Sequence, residues 1–156
     1  MNGYVPIPRY KLIGMGRRMT QSSVCEWSRG KTVEEDAIGA YDGNVGGHYS
    51  FHTGYDYRPF WMIDFEVPTE VYEIRLFNRM DHRERANRIK IEVGSAKDEW
   101  RLIFARDSDS PFGGVDGTPL ICTFDPGLIC HRLRVSLPDY GYLHLNQVQI
   151  FGDEVL

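Results

Sequence analysis

Two loops hold most of the side chains whose types could do chemistry. The first reads His48-Tyr49-Ser50-Phe51-His52-Thr53-Gly54-Tyr55-Asp56-Tyr57, and the second Asn78-Arg79-Met80-Asp81-His82-Arg83-Glu84-Arg85. An arginine presents a rigid fork of N–H donors, and each imidazole nitrogen either donates or accepts. Such groups can fix the oxygens of a polar, ring-shaped ligand while aromatic faces cover its apolar side. That is binding chemistry. Catalytic chemistry has less behind it. Cys25 with His48 or His52 can be drawn as nucleophile and base, and Asp64 with Glu66 as a carboxylate pair. No nucleophile elbow or metal-ligand motif accompanies them, and Gly14-Met15-Gly16 lacks the context of a phosphate loop. The expectation is a domain that is not an enzyme.

Loops of this kind need a rigid frame, and the frame is written in period-2 alternation. In Val71–Phe77, Tyr72, Ile74 and Leu76 oppose Glu73 and Arg75. In Arg88–Val93, Ile89, Ile91 and Val93 oppose Arg88, Lys90 and Glu92. Arg132–Leu137 and Gln147–Phe151 repeat the pattern, and Trp61, Ile63 and Phe65 place Trp61 in the core. Trp100–Phe104 and Leu120–Phe124 are further strand-like runs. Strands with one apolar and one polar face are antiparallel and half covered by a partner sheet. Helix signal is confined to Thr32-Val33-Glu34-Glu35, a capping box that predicts a short helix ending near Ala40. The fold class is therefore all-β: a jelly-roll sandwich of about eight antiparallel strands with one short helix. Two long loops, Asp42–Pro59 and Arg106–Pro119, exceed what hairpins require, and long loops in compact domains are often functional. The second contains Phe112 and Gly113-Gly114.

Bulk properties narrow the classes. At 156 residues the chain is expected to form one domain over 1–156. A net charge of −4 argues against a nucleic-acid binder. Three cysteines, Cys25, Cys122 and Cys130, are an odd set that excludes a complete disulfide framework. Read as small apolar residues in or near the core, they lean towards a reducing, cytoplasmic compartment. The N-terminal stretch has no signal-peptide character and no run is long enough to span a bilayer. Whether the chain works alone or appended to a larger protein is open.

The order of several motifs resembles the discoidin, or coagulation-factor type C, family. They are Thr20-Gln21-Ser22-Ser23, Ala40-Tyr41-Asp42-Gly43-Asn44, Phe51-His52-Thr53, Pro59-Phe60-Trp61-Met62-Ile63-Asp64-Phe65, Leu76-Phe77-Asn78-Arg79-Met80-Asp81 and Ser95-Ala96-Lys97-Asp98-Glu99-Trp100. Tyr142-Leu143-His144-Leu145-Asn146-Gln147-Val148-Gln149-Ile150-Phe151-Gly152 closes the series. The likeness covers about residues 20–152 and implies a galactose-binding-like jelly roll, in agreement with the alternation. Family members bind sugars, phospholipid head groups or proteins through loops at one end.

The fucose-binding lectins of the eel-agglutinin type are the nearest branch. The resemblance implies His52, Arg79 and Arg85 as ligand contacts, with Asp81 completing Arg-x-Asp. Two departures stand out. Arg85 follows Asp81 one residue too soon, and His82-Arg83 replace that loop's adjacent half-cystines. The reading is thus a non-catalytic carbohydrate-binding module for a glycan, without commitment to fucose. Tyr49, Tyr55 and Tyr57 are candidates to cover the sugar. Local alternatives stay open: an internal Arg79–Asp81 salt bridge, a solvated Arg85, a His52 bonded to backbone, and tyrosines that only pack the loop. The resemblance also implies a structural calcium near Asp42 and Asn44, with Gln147 where a Glu is usual. Asp42 read alone is equally a turn former. Protein interaction is the alternative function. Membrane binding ranks last, with Phe112 its one apolar spike.

Overall fold

The computed structural model describes residues 5–113 and 117–155; Gly114 of the second long loop lies outside them. Among the described residues the chain forms an antiparallel β-sandwich with one short α-helix. The strands are β1 (Leu12–Ile13), β2 (Arg18–Gln21), β3 (Phe51–His52), β4 (Asp56–Tyr57), β5 (Phe60–Phe77), β6 (Lys90–Gly94), β7 (Trp100–Ala105), β8 (Leu120–Ser136), β9 (Tyr140–Gly141), β10 (His144–Leu145) and β11 (Gln147–Glu154). The main path runs β1-β11-β5-β8-β6-β7, with β2 also on β5. Two ribbons, β3 with β10 and β4 with β9, stand apart from it.

Runs expected as separate strands are joined. Trp61–Phe65 and Val71–Phe77 are halves of β5, and Leu120–Phe124 and Arg132–Leu137 fall along β8 and its end. Pairing of β5 with β8 shifts register between Asp64 and Thr69 and again between Val71 and Glu73. At the first shift Glu66 has φ of 66°, and its N–H donates to the Asp64 carboxylate at 2.8 Å. This places Asp64 and Glu66 in a bend of the strand. It is a structural role for the pair drawn above as carboxylate catalysts.

Alternation predicted the core well. Trp61, Ile63, Ile74, Leu76, Ile91, Leu133, Val135, Val148 and Ile150 are fully buried. Trp61 also donates through Nε1 to the Ala37 carbonyl at 2.9 Å. Some residues depart from the pattern: Ser136 and Gln147, assigned to polar faces, are buried, Tyr72 is only half-buried, and Glu73 and Arg75, assigned to a solvent face, are buried as an ion pair at 2.6 Å. Two charges can leave water together when each satisfies the other. Cys122 and Cys130 are buried, and burial pushes their thiols up to about 11 and about 12.

The helix α1 spans Val33–Ala37, and a 3₁₀ turn continues it over Ile38–Tyr41. Thr32 Oγ1 accepts from Glu35 N at 3.1 Å, as the capping box requires. Asp36 is the unexpected residue here. Its carboxylate is buried and accepts from Arg29 N (2.7 Å), Gly30 N (2.8 Å), Gln21 Nε2 (2.8 Å) and His52 N (2.8 Å). Four donors compensate a desolvated carboxylate. They also tie α1, β2 and β3 into one corner, and β3 carries His52.

Candidate functional site

His52, Arg79 and Arg85 meet in one pocket of about 350 Å³ at the loop end, lined also by Trp27, Tyr49, His82 and Tyr142. Three separate stretches of chain build it. His52 sits on β3, whose partner across the ribbon is His144 on β10. Arg79 follows directly after β5. Arg85 lies on a 3₁₀ turn over Arg83–Ala86, entered through His82 at φ of 53°. The second loop is pinned at both sides: Met80 N donates to Gly47 O at 2.8 Å, and Asn78 Nδ2 donates to Phe112 O at 3.1 Å. Gly47 has φ of 91°, and a Cβ there would lie 2.5 Å from the Met80 side chain. Only glycine permits that approach.

Each pocket group has a defined state. Arg79 is almost buried, and its fork grips Asp81 through Nε (2.7 Å) and Nη2 (3.0 Å). The ring of Tyr49 lies 4.7 Å from its guanidinium carbon. Asp81 is itself 70 % exposed at the side chain. The Arg79 hydrogen bonds hold its carboxyl down at about 2. The internal salt bridge is therefore real, and it orients Arg79 while leaving Nη1 outside the pair. Arg85 stands over the Tyr142 ring at 5.1 Å. Its guanidinium makes no hydrogen bond among the described residues.

His52 has only 2 % exposure. Its Nδ1 lies 2.7 Å from the Thr53 carbonyl, which makes Nδ1 the protonated nitrogen and leaves Nε2 with a lone pair. Burial lowers its pKa, and Arg79 and Arg85 add to that, so the ring is neutral at physiological pH. Cys25 Sγ does come within 3.6 Å of Nδ1. That nitrogen already donates to Thr53, so it cannot take the thiol proton, and the nucleophile-and-base pairing fails. Behind His52 lies His144, with ring centroids 4.9 Å apart. Neither nitrogen of His144 has a partner among the described residues. Burial pushes its pKa down to about 2.

The remaining sequence candidates fall elsewhere. Tyr49 lines the pocket, but Tyr55 and Tyr57 do not; they stand exposed on and beside β4. Trp27, Tyr142 and His82 do line it; His82 and Tyr142 lie within the motifs quoted above without having been singled out as contacts, and Trp27 lies in none. Phe112 is buried at 7 %, with the Arg106 guanidinium 5.3 Å from its ring. The long loop needs it as an internal anchor, so it is not an apolar spike for a membrane. No helix among the described residues is long and apolar enough to cross one.

The Asp42 corner does not fit a calcium ion. Gln147 Nε2 lies 2.6 Å from Asp42 Oδ1, 2.7 Å from Asn146 O, 3.0 Å from Gly39 O and 3.4 Å from Ser50 Oγ. Its Oε1 accepts from Gly43 N at 2.9 Å, which fixes the amide's orientation. An NH₂ group thus sits where oxygens converge. A cation there would meet two hydrogens, with Asp42 the one carboxylate at hand. Asn44 turns away from that corner, its Oδ1 accepting from Gly46 N at 2.9 Å. Among the described residues no cluster of three or more His, Cys, Asp or Glu could hold a metal. The expected metal set is a hydrogen-bonded turn.

Comparison with known proteins agrees with this architecture. The family model described as "F5/8 type C domain" matches residues 18–146, most of the chain, and the chain belongs to that family. A fucolectin from striped bass (Morone saxatilis) serum superposes with a TM-score of 0.77 at 24% identity, over 93% of this chain and 50% of that one. A fucose binding module of Streptococcus pneumoniae gives 0.71 at 24% identity, over 90% and 97%. A pentraxin fusion protein of Xenopus laevis is 29% identical over 133 residues, 77% of this chain and 30% of that protein. The chain thus spans about a third of that curated relative. Carbohydrate-binding lectin domains are its structural neighbours.

Proposed function

We propose that this F5/8 type C domain is a non-catalytic carbohydrate-binding module that seats one sugar of a glycan in the His52–Arg79–Arg85 pocket. One observation carries the reading: two guanidinium forks and a neutral imidazole acceptor converge with three aromatic rings in a single concavity. Arg79 Nη1 and the free Arg85 fork supply donors for ring and hydroxyl oxygens. His52 Nε2 accepts from a hydroxyl. Trp27, Tyr49 and Tyr142 offer ring faces to the C–H side of the sugar. Glycoside hydrolysis needs two carboxylates flanking the bond; among the described residues no carboxylate lines this pocket, and Asp81 is bound to Arg79. The relatives' names make L-fucose the first sugar to try, with D-galactose as its comparison.

The test is a glycan array followed by titration calorimetry with free L-fucose and D-galactose. Arg79→Ala should weaken binding at least roughly tenfold, the scale of a hydrogen bond to a charged group. Arg79→Lys should not rescue it, since an ammonium cannot hold Asp81 and a sugar in one plane. A folded wild-type protein that binds no glycan at millimolar sugar sinks the reading.

A further inference from the structure

We infer that the ligand is an oligosaccharide, and that Tyr55, Tyr57 and Tyr140 form a second subsite that takes the sugar next to the one in the pocket. The inference rests on the pocket reading and extends it. The β4–β9 ribbon pairs Tyr57 directly with Tyr140. Tyr55, Tyr57 and Tyr140 are 63%, 54% and 63% exposed. The Tyr55 and Tyr140 rings stack at 6.0 Å with a 20° interplanar angle, and Tyr57 tilts against Tyr140 at 5.0 Å. Three large rings so exposed and so close make an aromatic shelf.

The shelf is rigid. Asp56 of β4 accepts from the Ser22 and Ser23 hydroxyls. Arg58, at φ of 53°, donates its N–H to Asp139 O at 3.1 Å, and its guanidinium carbon lies 5.0 Å from the Tyr57 ring. The ribbon is thus clamped at both ends, and ring faces are held out at little entropic cost to a ligand.

Continuity identifies the occupant. Tyr142 lines the pocket, carries Arg85 over its ring and meets the His52 ring at 5.5 Å, and Tyr55 lies 5.3 Å from it as well. Pocket and shelf therefore share Tyr142 as a common wall, and a chain of sugars leaving the pocket on that side runs onto the shelf. The chemistry suits a sugar as well. The phenol rings of the shelf combine apolar faces with hydroxyls at their rims.

The experiment is an array displaying monosaccharides beside their oligosaccharide extensions. It is probed with wild type, with Arg79→Ala and with the triple variant Tyr55→Ala/Tyr57→Ala/Tyr140→Ala. Thermal melts confirm folding, and single Tyr140→Ala serves if the triple variant melts early. Wild type should prefer an oligosaccharide over its terminal monosaccharide by roughly tenfold, and the tyrosine variant should erase that preference while monosaccharide binding stays. A variant that keeps the preference overturns the shelf but leaves the pocket intact. Loss in the tyrosine variant with Arg79→Ala unaffected overturns the shared site, and no binding by wild type overturns both.

Discussion

Two polar corners at the loop end invite opposite conclusions. Around Gln147 every group answers another: Gly43 donates to the amide oxygen, and the amide nitrogen faces Gly39, Asp42, Ser50 and Asn146. Around His52 the accounts stay open. The Arg85 guanidinium has no hydrogen-bond partner among the described residues, and Arg79 keeps Nη1 outside its ion pair. A corner whose donors and acceptors cancel needs no ligand. We read one with oriented, unmatched groups as open to a ligand.

The largest expected effect breaks that contrast from the open side. Arg79→Ala should cut glycan affinity roughly tenfold or more, with a modest fall in melting temperature from packing lost against Tyr49, since the partner it frees, Asp81, is already in water. Calorimetry and a thermal melt read the two together. Next comes the closed corner. Gln147→Ala leaves Gly43 N and several oxygens without partners, and should cost about 2–4 kcal/mol in urea unfolding. Sugar binding per folded molecule should stay. If binding falls instead, the corners are coupled and the contrast fails.

Two smaller effects sharpen the comparison. His144 titrates near 2 when folded, against an ordinary 6.5, so the unfolded chain takes up its proton first. Stability is then complete above pH 6.5 and declines as pH falls through the window from 6.5 towards 2. His52, also lowered, acts in the same direction. His144→Phe should flatten the slope of unfolding free energy between pH 6 and pH 4 while preserving the fold. The smallest effect is a null one: EDTA should leave the melting temperature of the wild type unchanged. A calcium-dependent rise would mean that the Gln147 amide yields to the ion.

Much of the frame was legible in the residues, because burial on one face of a strand leaves period-2 alternation behind. Glu73 and Arg75 broke that rule by being buried as a pair, which alternation alone cannot distinguish from two solvated charges. His52, Arg79 and Arg85 were legible as a spaced motif. Trp27 was not, since it reaches the pocket from a loop with no period, and His82 and Tyr142 stood inside motifs whose order does not say which side chains face the pocket. Asp36 was hidden for another reason: an acid in the first turn of a helix looks like a partner for its dipole, whatever lies behind it. Tyr55 and Tyr57 were read as walls of the same pocket and stand outside it, because a loop's composition does not say which way the loop turns.

The strand order also governs time. β11 lies between β1 and β5, so a segment made late is hydrogen-bonded on both edges to segments made much earlier. Val148 and Ile150, at the heart of the core, arrive with it. A ribosome that has released only β1 to β10 presents a sheet with a gap, and the nascent chain must wait. Most pairings are distant in sequence, so loop-closure entropy is spent before the contacts return it. Folding of the domain should await β11 and then run on the scale of ~milliseconds to seconds, as in other sandwiches dominated by non-local pairing.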